Sequence, residues 1–187
     1  MIPLTIRRSI AIALAALALT VVPLSILHAQ APPAPRLRIL VVHGPNLNLL
    51  GRREPQIYGT MTLDEINARL ADLAREINVD LVTMQSNHEG AIVDAFQAHL
   101  DDVDGAIINA AGLTFSSVSI HDVIKAASYP VIEVHISNLG TRDEIHQHSI
   151  LTPAVRGTVM GLGWRSYTAA LRTLAEIVRE AKAAKRP

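Results

Sequence analysis

From residue 37 onward, short apolar runs alternate with stretches whose apolar residues recur at helical spacing. LRILVV, DLVTMQ, GAIIN, PVIEVHI and VRGTVMGLG read as five strands, the last including its exit turn. Thr62-Leu-Asp-Glu65 is a capping-box pattern that opens a helix running to about Ile77. Ser86-Asn-His-Glu89 is the expected cap of a second helix through about Leu100, residues 116–128 form a third and residues 164–184 a last one. The strand runs are apolar on both faces, as a parallel sheet requires when helices cover it from two sides. The pattern predicts an α/β protein with a three-layer, doubly wound, parallel five-stranded sheet in residues 37–187. About 150 residues suffice for one core.

Residues 1–29 follow another rule. Arg7 and Arg8 precede an uncharged apolar stretch over residues 9–27, and His28-Ala29 offers a small residue at a cut. This predicts an export signal cleaved after Ala29, a linker over residues 30–36 and a body outside the cytoplasm, in the periplasm. An uncleaved anchor is the alternative, because about 19 apolar residues nearly cross a bilayer core.

Composition narrows the chemistry. Without residues 1–29 the chain carries 15 basic and 17 acidic side chains, a formal charge of −2, which is no polybasic nucleic-acid binder. Cysteine is absent from the 187 residues, which removes disulfides, thiolate zinc sites and cysteine nucleophiles. Lys125, Lys182 and Lys185 are the lysines, and the last two lie in a polar tail, so Schiff-base chemistry would rest on Lys125. The loop after the first strand, HGPNLNLLG, has neither phosphate-cradling glycine pattern, and Gly161-Leu-Gly163 lacks the third glycine, so no nucleotide is implied.

Ligands of such sheets bind at the carboxyl ends of the strands, so polar residues there are candidates. The first strand ends in His43-Gly-Pro-Asn46, the third in Asn109, and the fourth contains Glu133 and His135. Alternation puts Glu133 and His135 on one face, where a buried carboxylate needs a partner and an imidazole is at hand. The pair reads as an oriented, proton-trading histidine; a structural pair is the alternative. Backbone N–H groups around Ile136-Ser137-Asn138 can hold a carboxylate. Asn46 and Asn109 read equally as turn formers. The Gly-bounded loop over residues 51–59 has the build of a mobile lid and carries Arg52, Arg53 and Tyr58, although such a loop is also ordinary surface. A phenol, ordinarily ionising near pH 10, acts as a base at neutral pH only where a cation favours the phenolate by about 4 kcal/mol.

The segments HGPNLNLLGRREPQIYG, INAAGLTFSS and IEVHISN, in this order and spacing, resemble the type II 3-dehydroquinate dehydratases, from about residue 38 to residue 180. The resemblance implies a flavodoxin-like fold, trimers grouped into a dodecamer, neither metal nor organic cofactor, and removal of water from 3-dehydroquinate to give 3-dehydroshikimate. Under it Tyr58 is the ionised base and Arg53 keeps its phenolate charged. Asn46 holds a water on the enolate, and His135, oriented by Glu133, is the general acid. Ile136 and Ser137 receive the substrate carboxylate, Asn109 a ring hydroxyl. Asp122 matches an aspartate supplied by a neighbouring subunit, and Arg142 a substrate-side arginine.

Two positions depart from the resemblance. Phe115 stands where such proteins usually have histidine, and His146 where they usually have an arginine directed at the ring hydroxyls. Phenylalanine cannot hydrogen-bond a diol, and histidine cannot reproduce a guanidinium fork. A hydro-lyase on a related β-hydroxy keto acid, and a non-catalytic binding protein on the same fold, are the competing readings. His146 and His148 with Asp143 or Glu144 form a weak metal pattern that reads more simply as surface. Trp164 and Tyr167 read as packing residues, and His88, His99 and His121 as surface or helix-face residues. The export signal motivates breakdown of quinate outside the cytoplasm as a setting, with biosynthesis of aromatic precursors as the alternative.

Overall fold

A computed structural model describes residues 36–185; the predicted export signal and nearly all of the linker lie outside the described residues. The elements are β1 (Leu37–His43), α1 (Pro55–Tyr58), α2 (Leu63–Glu76), β2 (Val79–Gln85), α3 (Glu89–Ala98), β3 (Gly105–Asn109), α4 (Val118–Ala126), β4 (Val131–His135), β5 (Gly157–Met160) and α5 (Arg165–Ala184). The sheet order is β2-β1-β3-β4-β5 and every pairing is parallel, the flavodoxin-like order. His43 pairs with both Gln85 and Asn109, so the ends of β2, β1 and β3 are level.

Strand alternation sorts the interior into two layers. Ile39, Val41, Ile107, Ile132 and Val134 pack with the apolar stripes of α2 and α5. Leu40, Val42, Ala106, Ile108 and Val131 pack with those of α3 and α4. The three central strands are buried along almost their whole length, whereas β2 and β5, at the edges, are only partly covered. At Gly105 the sheet and α5 approach so closely that an added Cβ would sit 3.1 Å from Leu174 Cδ1 and 3.2 Å from the Pro130 carbonyl.

The capping box forms as its spacing predicts: Thr62 Oγ1 accepts from the Glu65 N–H, and Glu65 accepts from the Thr62 N–H at 2.8 Å. The Ser86 cap does not form. Its hydroxyl accepts the His88 N–H at 2.9 Å, closing a local turn, so α3 starts at Glu89 without a side-chain cap and ends at Ala98. The third helix also starts later than expected, because Ser117, not Ser116, accepts from the Ile120 N–H at 2.9 Å; a 3₁₀ segment occupies Ala111–Phe115 before it. The 51–59 loop contains a one-turn helix, α1, with Pro55 at its first position and Gly59 (φ 80°) just past its end.

Candidate active site

A cavity of about 200 Å³ opens at the carboxyl ends of the strands. Its wall includes Asn46 from the β1 exit, Asn109 from the end of β3 and His135, Ile136 and Ser137 from the end of β4. Arg53 and Tyr58 reach it from the loop containing α1, and Arg142 and His146 from the segment after β4. Nine of the sequence-predicted residues therefore share one cavity. Glu133 is fully buried behind His135, and Asp122 lies on the outer face of α4, its side chain 70% exposed and paired with His121 at 3.0 Å, away from the cavity of its own chain.

The β1 exit is shaped by close approach. An added Cβ at Gly44 would meet the Ala110 carbonyl oxygen at 2.5 Å, and the Gly44 N–H donates to the Asn109 carbonyl at 2.7 Å. Asn46 follows in the left-handed region (φ 64°), its N–H donating to Asn87 Oδ1 at 2.9 Å. Asn tolerates that conformation better than other residues with a Cβ, which explains it in this turn.

His135 Nε2 lies 2.9 Å from Glu133 Oε1. The same carboxylate accepts from Ser149 at 2.6 Å and from Thr152 at 2.9 Å. Burial alone raises the carboxyl's pKa, but hydrogen bonds from His135, Ser149 and Thr152 outweigh it and hold Glu133 below the usual carboxylate range. Because Nε2 is committed to Glu133, Nδ1 is the ring nitrogen that can trade a proton in the cavity.

Tyr58 has two cations. Arg142 Nη1 donates to its hydroxyl at 3.2 Å and to Ser137 Oγ at 3.3 Å. The Arg53 guanidinium lies over the ring, 4.9 Å from its centroid, and bonds Glu54 at 2.8 Å. The cation in contact with the phenol oxygen is thus Arg142, which the sequence offered only as a substrate-side arginine. Arg53 acts on the ring face, with part of its charge offset by Glu54.

Several contacts of residues that the sequence offered singly were outside the sequence reading. Tyr167, fully buried, bonds Asn109 Nδ2 at 3.0 Å and His43 Nδ1 at 3.1 Å, so it does more than pack. His43 Nε2 lies 2.9 Å from Asn67 Oδ1. Burial lowers the His43 pKa to about 4 and pushes the Tyr167 phenol well above its ordinary value. No local spacing signals these contacts, since Tyr167 follows His43 by 124 positions. Finally, Phe115 and His146 meet edge to face, ring centroids 5.2 Å apart, and His146 Nδ1 is bonded to Asp143. Among the described residues no group of three or more His, Cys, Asp or Glu is gathered to hold a metal.

The family described as Dehydroquinase class II matches residues 37–175. A 3-dehydroquinate dehydratase of Roseiflexus castenholzii is 49% identical over 138 residues, covering 74% of this chain and 88% of that protein. One of Bordetella pertussis is 54% identical over 136 residues, covering 72% and 94%. Among solved structures, the type II dehydroquinase from Propionibacterium acnes superposes with a TM-score of 0.73 at 40% identity, covering 76% of this chain and 99% of that one. The type II dehydroquinase from Butyrivibrio crossotus gives 0.73 at 37% identity, covering 74% and 97%.

Proposed function

We propose, for a chain that belongs to the class II dehydroquinase family and is a lyase, that it removes water from 3-dehydroquinate to give 3-dehydroshikimate with the side chains of the cavity described above. One observation carries the assignment of roles: a phenol oxygen braced by a guanidinium and an imidazole tied to a buried carboxylate face the same cavity.

Tyr58, as phenolate, takes the proton from the carbon beside the ketone, and the C–H electrons move to the carbonyl oxygen as an enolate. Arg142 and Arg53 offset the charge the phenol oxygen carries before it takes that proton. A water held by Asn46 donates to the enolate oxygen. The enolate then reforms the ketone while the β C–O bond breaks, the leaving oxygen departing on the opposite face from the proton. His135 Nδ1 gives that oxygen its proton, so the second product is water, and Glu133 stabilises the imidazolium that precedes transfer. Ile136, Ser137 and Arg142 receive the carboxylate, and Asn109 a ring hydroxyl. No cofactor enters this balance. In the same reading the chain forms trimers grouped into a dodecamer, Asp122 serving a neighbouring copy, which its exposure outside its own cavity supports. The apolar segment over residues 9–27 supports export to the periplasm.

A second reading is favoured by the Phe115–His146 contact. One wall of the cavity is an aromatic pair, and His146 is engaged by Asp143, so that end grips a diol poorly. A related β-hydroxy keto acid with fewer ring hydroxyls suits it better. The test is to incubate the protein with 3-dehydroquinate and follow absorbance of the conjugated enone. Turnover that is abolished in Tyr58→Phe supports the first reading; an inert wild type that still binds the substrate carboxylate supports the second.

A further inference from the structure

Asn109 has a carbonyl oxygen and an amino group of nearly equal shape, and which of the two faces the cavity decides what it can hold. We infer that Tyr167, His43 and Asn67 are positioning residues that lock the Asn109 amide with an N–H toward the cavity, so that the substrate group bound there is an acceptor.

One neighbouring group has a polarity beyond choice. The Ala111 backbone N–H can only donate, and it points at Asn109 Oδ1 at 3.2 Å. The oxygen is therefore fixed on that side, and Nδ2 is the atom 3.0 Å from the Tyr167 hydroxyl. Nδ2 can only donate, so Tyr167 accepts there. The Tyr167 side chain is fully buried, and its own proton needs an acceptor. His43 Nδ1, 3.1 Å away, is that acceptor, which makes it the unprotonated ring nitrogen. The ring proton is then on Nε2, and it is donated to Asn67 Oδ1 at 2.9 Å.

Each link thus runs in one direction, from Asn109 through Tyr167 to His43 and on to α2. Reversing any one of them sets donor against donor, among buried groups at Asn109, Tyr167 and His43 and in a part-buried contact at Asn67. Of the two amide protons on Asn109, one is given to Tyr167; the second is the one available to the cavity that Asn109 lines. Ala111 itself stands at φ 52°, a conformation unusual for a residue with a Cβ, and this turn brings its N–H to Oδ1. The burial that keeps His43 neutral keeps the direction of the chain constant through neutral pH. That the held acceptor is a ring hydroxyl oxygen rests on the dehydratase reading; the amide orientation does not.

Two measurements test the inference separately from that reading. In the full chain labelled with ¹⁵N at histidine, His43 at pH 7 should show Nδ1 unprotonated and Nε2 protonated; a proton on Nδ1 overturns the chain of donors whatever the substrate is. The second is a cycle of Tyr167→Phe and Asn109→Ala assayed on 3-dehydroquinate. Each single change should lower kcat/KM by about tenfold, mainly through KM, as expected for one lost hydrogen bond. The double variant should be within about twofold of Asn109→Ala alone, since coupled residues do not add. Fully additive losses would make Tyr167 a packing residue and overturn the inference. Should the wild type leave 3-dehydroquinate unchanged, or Tyr167→Phe fail to fold, the ¹⁵N measurement still decides.

Discussion

The ends of β1 and β4 each hold a buried histidine, and the two have opposite surroundings. His43, on the face toward α2 and α5, meets a phenol and an amide; His135, on the other face, meets a carboxylate. Neutral partners leave the desolvation of an imidazolium uncompensated, and the His43 pKa falls to about 4. A carboxylate compensates a positive ring, and the Glu133 carboxyl is itself held low in the process. Burial alone therefore does not set the chemistry of a histidine; in the proposed reaction the charge of the partner is what separates a fixed acceptor from a proton donor.

The widest separation is expected in turnover. His135→Asn should reduce kcat on 3-dehydroquinate by about 10² to 10⁴, the usual worth of a general acid, with substrate binding largely kept. Retention of kcat within about tenfold would make the two histidines alike and break the comparison. Next is the carboxylate. Glu133→Ala leaves His135, Ser149 and Thr152 without their common acceptor and should cost about 3 to 5 kcal/mol in urea unfolding.

Acid unfolding should then sharpen the contrast. The folded pKa of His43 lies below its ordinary 6.5, so between the two values the unfolded chain holds the extra proton. Stability falls as pH drops from about 6.5 to about 4, by about 3 kcal/mol in full. Glu133 is also lowered, so its contribution is intact above about 4.5 and is lost only as pH falls through its folded value. Unfolding free energy measured from pH 7 to 3 should show both losses in that order, and His43→Gln should flatten the upper one alone. The smallest effect is at the β1 exit: Gly44→Ala drives a methyl into the Ala110 carbonyl and should cost about 1 to 3 kcal/mol, read as a lowered Tm.

Much of this was legible in local sequence. The five strands, the Thr62–Glu65 box and the Glu133–His135 pair are set by spacings of two to four residues, and such spacings translate directly into shared faces and caps. Ser86 misled because a hydroxyl can close a turn on its own neighbour as readily as it can cap a helix. What sequence could not give were the partners brought together by the sheet. Arg142 reaches Tyr58 across 84 positions and Tyr167 reaches His43 across 124, and neither pairing has a local period. The resemblance supplied names for the cavity residues, but not the group that touches the phenol oxygen or the side chains that orient Asn109.

The tight seat of α5 on Gly105 has a reach beyond packing. Leu174 rests on that glycine, and Tyr167 lies two turns earlier on the same rigid rod. A methyl added at Gly105, at the amino end of β3 and so at the end opposite the cavity, would press on Leu174 of the helix that carries the Tyr167 hydroxyl to Asn109. The foot of the sheet thus bears, through one helix, on a hydrogen bond at its top.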